Sequence, residues 1–457
     1  MYEDETEVDL MEALGVAIEA AEKAGRIIWQ SVEKRRAAAA AAATMRSAPS
    51  NNDATTAATP TATTARSGGP SESLSTDLLI ETKTSATDLV TRYDTQCDEV
   101  ITRILRQYAA EVQKDKPHVR FAFMTEELNP TTPLTDDYTW VVDPIDGTMS
   151  FVHGLPDCCV SIGLTHRKQP VLAVVFTPFI SSGVRLTTAA SAMLRSVQQQ
   201  AQQQLTLSSS SPTGMPSSAT TTSDAAAVAP LTGLSSTATA PSAAAKMNKT
   251  ASAGPKTETH VPASADATTL PVMTHSSPSV VPECNGELFT AIRGQGAYLN
   301  GRRLHVNTNA TPRTALVVFN YPYGVELTTT EAARPDAATI RQRRHAEAVD
   351  CSARMREELA TLPVAGLRCY GSSVTTFAQI AAGRVDAYLE PAGKAWDVCA
   401  GSLLVTEAGG LVYNMLGDAF DMARDTTIVA AANQELAELL TKRCVNHNFG
   451  RFWLLKK

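Results

Sequence analysis

The 457-residue sequence lacks any apolar segment close to the roughly 20 residues that a membrane-spanning helix needs. Its N-terminus is acidic, unlike a secretory signal. The net charge is −7 without a sustained basic stripe, which argues against nucleic acid as a partner. The eight cysteines form no Cys-x-x-Cys pair, so we expect free, reduced thiols and no zinc site. We therefore expect a cytoplasmic protein that binds neither membranes nor nucleic acid, with an organelle left open.

Two long stretches have few apolar side chains. Residues 36–76 are dominated by Ala, Ser, Thr and Pro, and residues 181–285 repeat that composition with added glutamines. Such segments bury too little apolar surface to offset their chain entropy, so we predict that both are disordered inserts. The folded part then comprises an N-terminal helix in 1–35, a first half in 77–180 and a second half in 286–457. Strand-like runs at 171–176 and 287–292 flank the second insert, which we place at the tip of their hairpin.

Periodicity in the remaining sequence indicates both helices and strands. Apolar residues recur at helical spacing in 7–35 and 94–109, and a third helix is expected at 373–382 between Ser372 and Gly383. Runs at 158–164, 171–176, 287–292 and 315–320 predict antiparallel strands. By itself this pattern indicates only a mixed α and β protein.

The most informative motif follows the apolar run 140–142. Asp143 and Asp146 lie three residues apart around Pro144, and Gly147-Thr148 can begin a helix whose free amides face the same place. Carboxylate oxygens suit Mg²⁺, and helix amides suit phosphate. The dipeptides Asp-Pro and Asp-Gly are also typical of an ordinary turn with two solvated acids. The motif alone leaves both interpretations open.

Acidic residues at two other element ends favour the metal interpretation. Glu126 and Glu127 follow the strand-like run 119–123, and Asp397 begins an apolar helical run that ends at Gly409-Gly410. Carboxylates at element ends can converge in space, where they would repel one another strongly without a cation. The sequence thus predicts a site for divalent ions.

These motifs closely resemble a known family. Four segments occur in the order typical of inositol monophosphatases. They are 83–91, 126–127, the sequence Asp-Pro-Ile-Asp-Gly-Thr at 143–148, and the segment from Trp396-Asp397 to Gly409-Gly410. That family comprises Mg²⁺-dependent, lithium-sensitive phosphatases, and the resemblance covers about residues 7–35, 76–180 and 286–445. It implies an α+β fold, the layered α/β/α/β/α sandwich of the inositol monophosphatase and fructose-bisphosphatase type, and a homodimer.

The resemblance also implies the roles of individual residues. Two or three Mg²⁺ ions would be held by Glu126, Asp143, the carbonyl of Ile145, Asp146 and Asp397. Thr148, with Asp94 behind it, would orient and help to deprotonate water, with Glu126 as a third catalytic residue. The expected substrate contacts are Glu126, Ile145, Asp146, Gly147, Thr148, Gly371, Ser372, Ser373, Glu390, Asp397 and Lys83. Taken alone, Asp94 fits a helix N-cap or a surface acid as well as it fits this role, and an N-cap could serve both. Taken alone, Glu390 is a solvated acid at a strand end and Lys83 is a surface residue.

The expected substrate is a small phosphate ester. The continuation 151–156 favours inositol monophosphate, although Thr125, Ser150 and Ser373 depart from the family pattern without removing a metal ligand. Fructose bisphosphate, a nucleotide bisphosphate or histidinol phosphate are alternatives within the family. A non-catalytic scaffold whose Ser/Thr-rich insert recruits partners is the alternative from another class. Retention of all the acidic positions argues against it.

Overall fold

The computed structural model of this protein describes most of the sequence outside the predicted inserts. The described residues are 7–47, 78–82, 89–181, 286–320, 327, 329–362 and 364–447. Lys83, residues 48–76 and residues 182–285 lie outside them. The predicted disorder is wrong for residues 36–47, because the first helix, α1 (Leu10–Ser47), continues through them. Seven consecutive alanines at 37–43 explain this, since alanine has the highest helix propensity even where it buries little surface.

A seven-stranded sheet forms the centre of the first half. After a short ribbon of β1 (Glu81–Thr82) and β2 (Leu89–Val90), this sheet has the order β3-β4-β5-β6-β7-β8-β9. Its strands are β3 (Phe121–Thr125), β4 (Tyr138–Asp146), β5 (Cys159–His166), β6 (Gln169–Thr177), β7 (Glu287–Ile292), β8 (Gly296–Leu299) and β9 (Arg302–Arg303). Within the described part of this sheet, β3 and β4 are the one parallel pair, and the other neighbours are antiparallel. The antiparallel pairing of β6 with β7 confirms the hairpin predicted around the second insert.

A five-stranded sheet with the order β11-β10-β12-β14-β13 belongs to the second half. Its strands are β10 (Leu316–Phe319), β11 (Gly366–Arg368), β12 (Ala387–Glu390), β13 (Leu411–Tyr413) and β14 (Ile428–Ala431). The antiparallel prediction for 315–320 is wrong, because β10 pairs in parallel with both β11 and β12. Side chains of β10 are buried on both faces, and an uninterrupted apolar run is typical of such a strand.

Helices cover the two sheets on every face. The described residues contain, besides α1, the helices α2 (Arg92–Asp115), α3 (Thr148–His153), α4 (Thr329–Ala332), α5 (Ala337–Thr361), α6 (Ser373–Ala381), α7 (Ala395–Glu407) and α8 (Gln434–Asn446). Helices α1 and α2 share a hydrophobic core with one face of the seven-stranded sheet. Helices α6 and α7 lie between the sheets, and α5 and α8 pack on the outer face of the five-stranded sheet. This is the layered α/β/α/β/α sandwich expected from the resemblance.

Alternation along the strands explains why the layers form. In β4, Trp140 and Val142 face the core with α1 and α2, whereas Val141 faces the core between the sheets. The helix α7 approaches β5 closely at Gly163, where an added Cβ would lie 2.4 Å from the Cys399 sulfur. No helix among the described residues has the length and apolarity needed to span a membrane.

Candidate active site

Three carboxylates from distant parts of the sequence meet at one end of the middle layer. Asp143 and Asp146 lie at the end of β4, and Asp397 lies in the first turn of α7. Each provides a carboxylate oxygen within 4.8 Å of the other two. Residues three apart in a regular strand would point to opposite faces, but the pairing of β4 with β5 shifts register between Asp143 and Asp146. The irregularity at Pro144 therefore brings both side chains to the same cluster.

Protein donors hold one oxygen of each carboxylate. The Ile145 amide donates to Asp143 Oδ1 at 3.0 Å. The Val374 amide donates to Asp146 Oδ2, and the Lys394 amide donates to Asp397 Oδ2, each at 2.7 Å. The hydroxyl of Ser372 also donates to Asp146 Oδ2. Among the described residues, none donates a hydrogen bond to Asp146 Oδ1 or Asp397 Oδ1. The arrangement fixes the orientation of the carboxylates and leaves oxygens for a further ligand.

Burial and mutual repulsion make the cluster unfavourable in its ionised form. The pKa values of Asp143 and Asp397 are raised well above the ordinary value of 3.8. The larger cause is loss of solvation, and the next is repulsion by the neighbouring carboxylates. Loss of solvation also raises the pKa of Asp146, to about 6, although the hydrogen bonds from Ser372 and Val374 oppose this rise. An all-oxygen, negatively charged donor set fits a hard divalent cation such as Mg²⁺.

Glu126 lies beside this cluster, directly after β3. Its amide donates to the Val142 carbonyl at 3.1 Å, which joins the end of β3 to β4. The half-buried side chain is not one of the three carboxylates within 4.8 Å of one another, but it is close enough to Asp143 to raise the pKa of that carboxyl. Its charge contributes to the raised pKa of Asp143, Asp146 and Asp397. The structure thus brings Glu126 near the three aspartates predicted as metal ligands.

Thr148 connects the motif to helix α2. Its hydroxyl lies 3.2 Å from Asp94 Oδ1 and 3.2 Å from the Ile145 carbonyl oxygen. Asp94 is almost completely buried, so it is not a surface acid, and the N-cap of α2 is Thr91. The amide and hydroxyl of Thr91 donate to Asp94 Oδ2. Burial, with a smaller contribution from the charge of Glu126, raises the pKa of Asp94 to about 6.

Gly147 is the N-cap of the short helix α3 and has a backbone conformation that favours glycine. Its φ is +88°, and an added Cβ would lie 2.8 Å from the Asp157 carbonyl oxygen and 3.0 Å from Ser372 Cβ. The start of α3 therefore packs directly on the loop before α6. This contact brings the Asp143–Thr148 motif against the predicted substrate residues.

The predicted substrate residues form a wall beside the cluster. The Gly371 amide donates to Asp157 Oδ2 at 2.7 Å, and Ser372 is the N-cap of α6. Glu390 ends β12 and is buried, so its interpretation as a solvated acid is wrong. Ser373 lies 3.4 Å from Glu390 Oε2. Lys83 lies outside the described residues.

Sequence reasoning missed several side chains that support the predicted ones. These are Thr91, Asp157, Cys159, Asn320 and Tyr388. Tyr388 could have been found from the two-residue period of β12, which places it on the same face as Glu390. Asn320 and Asp157 carry no comparable signal, because their contacts cross between segments far apart in sequence.

The chain is similar to known proteins over most of its length. The model of the inositol monophosphatase family matches residues 9–254 and 272–448. Inositol monophosphatase 2 of Solanum lycopersicum is 27% identical over 356 residues, which cover 77% of this chain and 83% of that protein. Inositol monophosphatase 1 of Homo sapiens is 23% identical over 385 residues, which cover 83% and 91%. The solved structure of extragenic suppressor protein suhB from Bartonella henselae aligns with a TM-score of 0.49 and 19% identity, over 94% of this chain and 98% of that one.

The family match and the layered sandwich define the class of this protein, a hydrolase of the phosphatase type. The chain belongs to the inositol monophosphatase family.

Proposed function

We propose that this protein hydrolyses a small phosphate monoester with the help of Mg²⁺, and that inositol monophosphate is its substrate. The observation that carries the proposal is the cluster of Asp143, Asp146 and Asp397 within 4.8 Å, because such carboxylates need a cation to offset their repulsion. The names of the relatives from Solanum lycopersicum and Homo sapiens support inositol monophosphate over other esters.

Five residues would hold the cations. The three clustered aspartates provide carboxylate oxygens, Glu126 adds a fourth carboxylate from the end of β3, and Ile145 offers its backbone carbonyl. We expect two or three ions, as the family resemblance implies. Bound Mg²⁺ supplies positive charge that makes water more acidic and offsets the negative charge that develops around phosphorus.

Thr148 and Asp94 would orient the attacking water. The single Thr148 hydroxyl proton is shared between Asp94 Oδ1 and the Ile145 carbonyl, each at 3.2 Å, so a lone pair of Oγ1 remains to accept a proton from water. As Thr148 accepts that proton, it can pass its own to Asp94. A pKa of about 6 leaves Asp94 ionised at neutral pH yet more basic than an ordinary aspartate.

The phosphate and the departing alcohol would occupy opposite sides of the cluster. The amides of Gly147 and Thr148 are the proposed donors to phosphate oxygens, with Lys83 as an additional positive charge. Gly371, Ser372, Ser373 and Glu390 form the wall that would face the alcohol, next to Asp397. Their hydroxyl and carboxylate groups suit a polyol better than an apolar alcohol.

Release of inorganic phosphate by the purified protein tests the proposal. We expect Mg²⁺-dependent hydrolysis of myo-inositol 1-phosphate, inhibition by lithium, and slower or no hydrolysis of fructose 1,6-bisphosphate, a nucleotide bisphosphate and histidinol phosphate. Asp397→Asn should abolish activity, whereas Asp136→Asn should not, because that carboxylate is 81% exposed and precedes the start of β4, at the opposite end of the strand from Asp146. Hydrolysis of another ester in preference to inositol phosphate would correct the substrate. Absence of turnover with every ester would favour a non-catalytic scaffold.

We also propose that the protein is a cytoplasmic homodimer. The family resemblance supports the dimer, and the composition supports the compartment. Light scattering of the purified protein and imaging of a tagged protein test the two expectations separately.

A further inference from the structure

A side chain from helix α1 holds the C-terminal end of the short helix α3. The guanidinium of Arg35 donates to the Phe151 carbonyl at 3.1 Å and to the Val152 carbonyl at 3.2 Å. Its Nε donates to the Ser31 carbonyl of α1 at 3.4 Å. Arg35 is only 9% exposed, so these contacts lie largely away from solvent. The last carbonyls of a helix have no acceptor role within that helix, and here Arg35 provides the donors.

The ring of Phe151 adds a second contact between these elements. The Arg35 Cζ lies 4.8 Å from the centroid of the Phe151 ring, and Tyr93 of α2 packs edge-on against the same ring at 6.0 Å. Phe151 is completely buried. A guanidinium over a ring face is attracted to it, and this attraction adds to the two hydrogen bonds. Arg35 therefore fixes both the backbone and the side chain of the fourth residue of α3.

Helix α3 depends on such outside contacts for its position. It has only six residues, and its Phe151 amide donates to the Gly147 carbonyl at 3.0 Å. A helix of this length is not stable alone. The chain turns away directly afterwards at Gly154, whose φ is +72°. Neighbouring elements must therefore set the orientation of α3.

The residue at the other end of α3 belongs to the candidate active site. Thr148 is the first residue of α3, and its hydroxyl lies 3.2 Å from Asp94 Oδ1. Residues three apart in a helix lie on the same side, so Thr148 and Phe151 both face α2, where they contact the consecutive residues Asp94 and Tyr93. Because one helical turn separates the two contacts, a shift at Phe151 also moves the Thr148 hydroxyl.

We propose that Arg35 is a positioning residue for Thr148 and that it acts through helix α3. This inference rests on the proposed function, in which Thr148 orients the attacking water. Arg35 holds the end of α3 opposite to Thr148, so its effect on the reaction is indirect. The inference adds that helix α1, which carries none of the acidic residues of the site, contributes to catalysis.

Hydrogen exchange measured by mass spectrometry tests the contact itself. Arg35→Met removes the guanidinium but keeps an unbranched apolar side chain. We expect the amides of 148–155 to exchange about tenfold faster, the size of one lost hydrogen bond, and those of β5 to stay unchanged. Arg36→Met is the matched control, because Arg36 is exposed and pairs with Glu33 of its own helix at 3.1 Å. It should leave both segments unchanged.

Kinetics test whether the contact positions Thr148. At saturating Mg²⁺, Arg35→Met should lower kcat for myo-inositol 1-phosphate about 10-fold to 100-fold, because small displacements of a reacting group are costly. The Mg²⁺ concentration for half-maximal thermal stabilisation should stay within about twofold of wild type. Arg35→Lys should restore only part of kcat, since one ammonium lacks the planar pair of donors. In a Thr148→Ala background, Arg35→Met should have little further effect, because the residue that it positions is absent.

Several results would overturn the inference. They are unchanged exchange of 148–155 in Arg35→Met, a loss of kcat that is equally large after Thr148→Ala, and the same losses in Arg36→Met. A weakened Mg²⁺ response together with faster exchange throughout the protein would show a general structural role instead. Wild-type protein that hydrolyses no phosphate ester would reject the proposed function, and this inference with it.

Discussion

Removing one charge from the acidic cluster of Asp143, Asp146 and Asp397 should stabilise the protein when no metal is bound. In Asp146→Asn, a neutral amide of the same size replaces a buried carboxylate whose pKa is raised from 3.8 to about 6, mainly by burial. A pKa rise of this size corresponds to about 3 kcal/mol of lost stability when the group is ionised in both the folded and unfolded protein. The amide can keep its oxygen towards the Val374 amide. We therefore expect the variant to be more stable by up to about 3 kcal/mol at neutral pH.

The sign of the pH dependence follows from the same shift. A carboxyl with a raised pKa binds its proton more tightly in the folded protein than in the unfolded one. The stability lost by ionising Asp146 is thus zero below the unfolded pKa of 3.8. This loss grows as the pH rises towards about 6 and is complete above pH 6. Asp143 and Asp397, whose pKa values are also raised, make the metal-free wild type lose stability in the same direction. The advantage of Asp146→Asn should accordingly shrink as the solution is acidified.

Urea unfolding in the presence of EDTA measures this effect. The midpoint for Asp146→Asn should exceed that of wild type at about pH 8, and the two should converge near pH 4. Mg²⁺ should then raise the wild-type midpoint more than that of the variant, because binding favours only the folded state. Asp98→Asn is the matched control, since Asp98 is buried but accepts backbone amides from residues 127 and 128. It should lower stability. A metal-free Asp146→Asn protein that is less stable than wild type at about pH 8 would refute the electrostatic reasoning.

Three further substitutions probe separate parts of the structure. Ser372→Ala removes a hydroxyl that donates to Asp146, so the Mg²⁺ concentration for half-maximal thermal stabilisation should rise about 10-fold to 100-fold; an unchanged value would contradict this role. Thr148→Ala should lower kcat by about 10²-fold to 10⁴-fold in a phosphate-release assay, while Mg²⁺ still stabilises the protein. Gly163→Ala places a methyl group 2.4 Å from the Cys399 sulfur and should cost about 1–3 kcal/mol in urea unfolding. A neutral result would show that α7 can move away from β5.

The acidic cluster was predictable from sequence because its members lie at the ends of recognisable elements. Asp143 and Asp146 follow an apolar strand, and Asp397 begins an apolar helix, so the chemistry and the local pattern indicate the same place. The sequence could not indicate that Glu390 is buried, because its burial depends on contacts with Asn320 and Tyr388 in the five-stranded sheet. Pairing in that sheet is set by long-range packing, which also explains why the parallel direction of β10 was missed.

The start of α6 links the acidic cluster to the residues proposed to face the alcohol. Ser372 and Val374 donate to Asp146, whereas Ser373, between them, joins the network of Tyr388 and Glu390. Because the three residues are consecutive and the first is the N-cap of α6, a shift of this helix end would change both contacts together. The positions of Asp146, a proposed metal ligand, and of Ser373, which is proposed to face the alcohol, are therefore coupled through one short segment. A substitution that displaces the α6 N-terminus should weaken Mg²⁺ binding and ester selectivity in parallel, whereas Ser373→Ala, which leaves the donors to Asp146 in place, should alter selectivity alone.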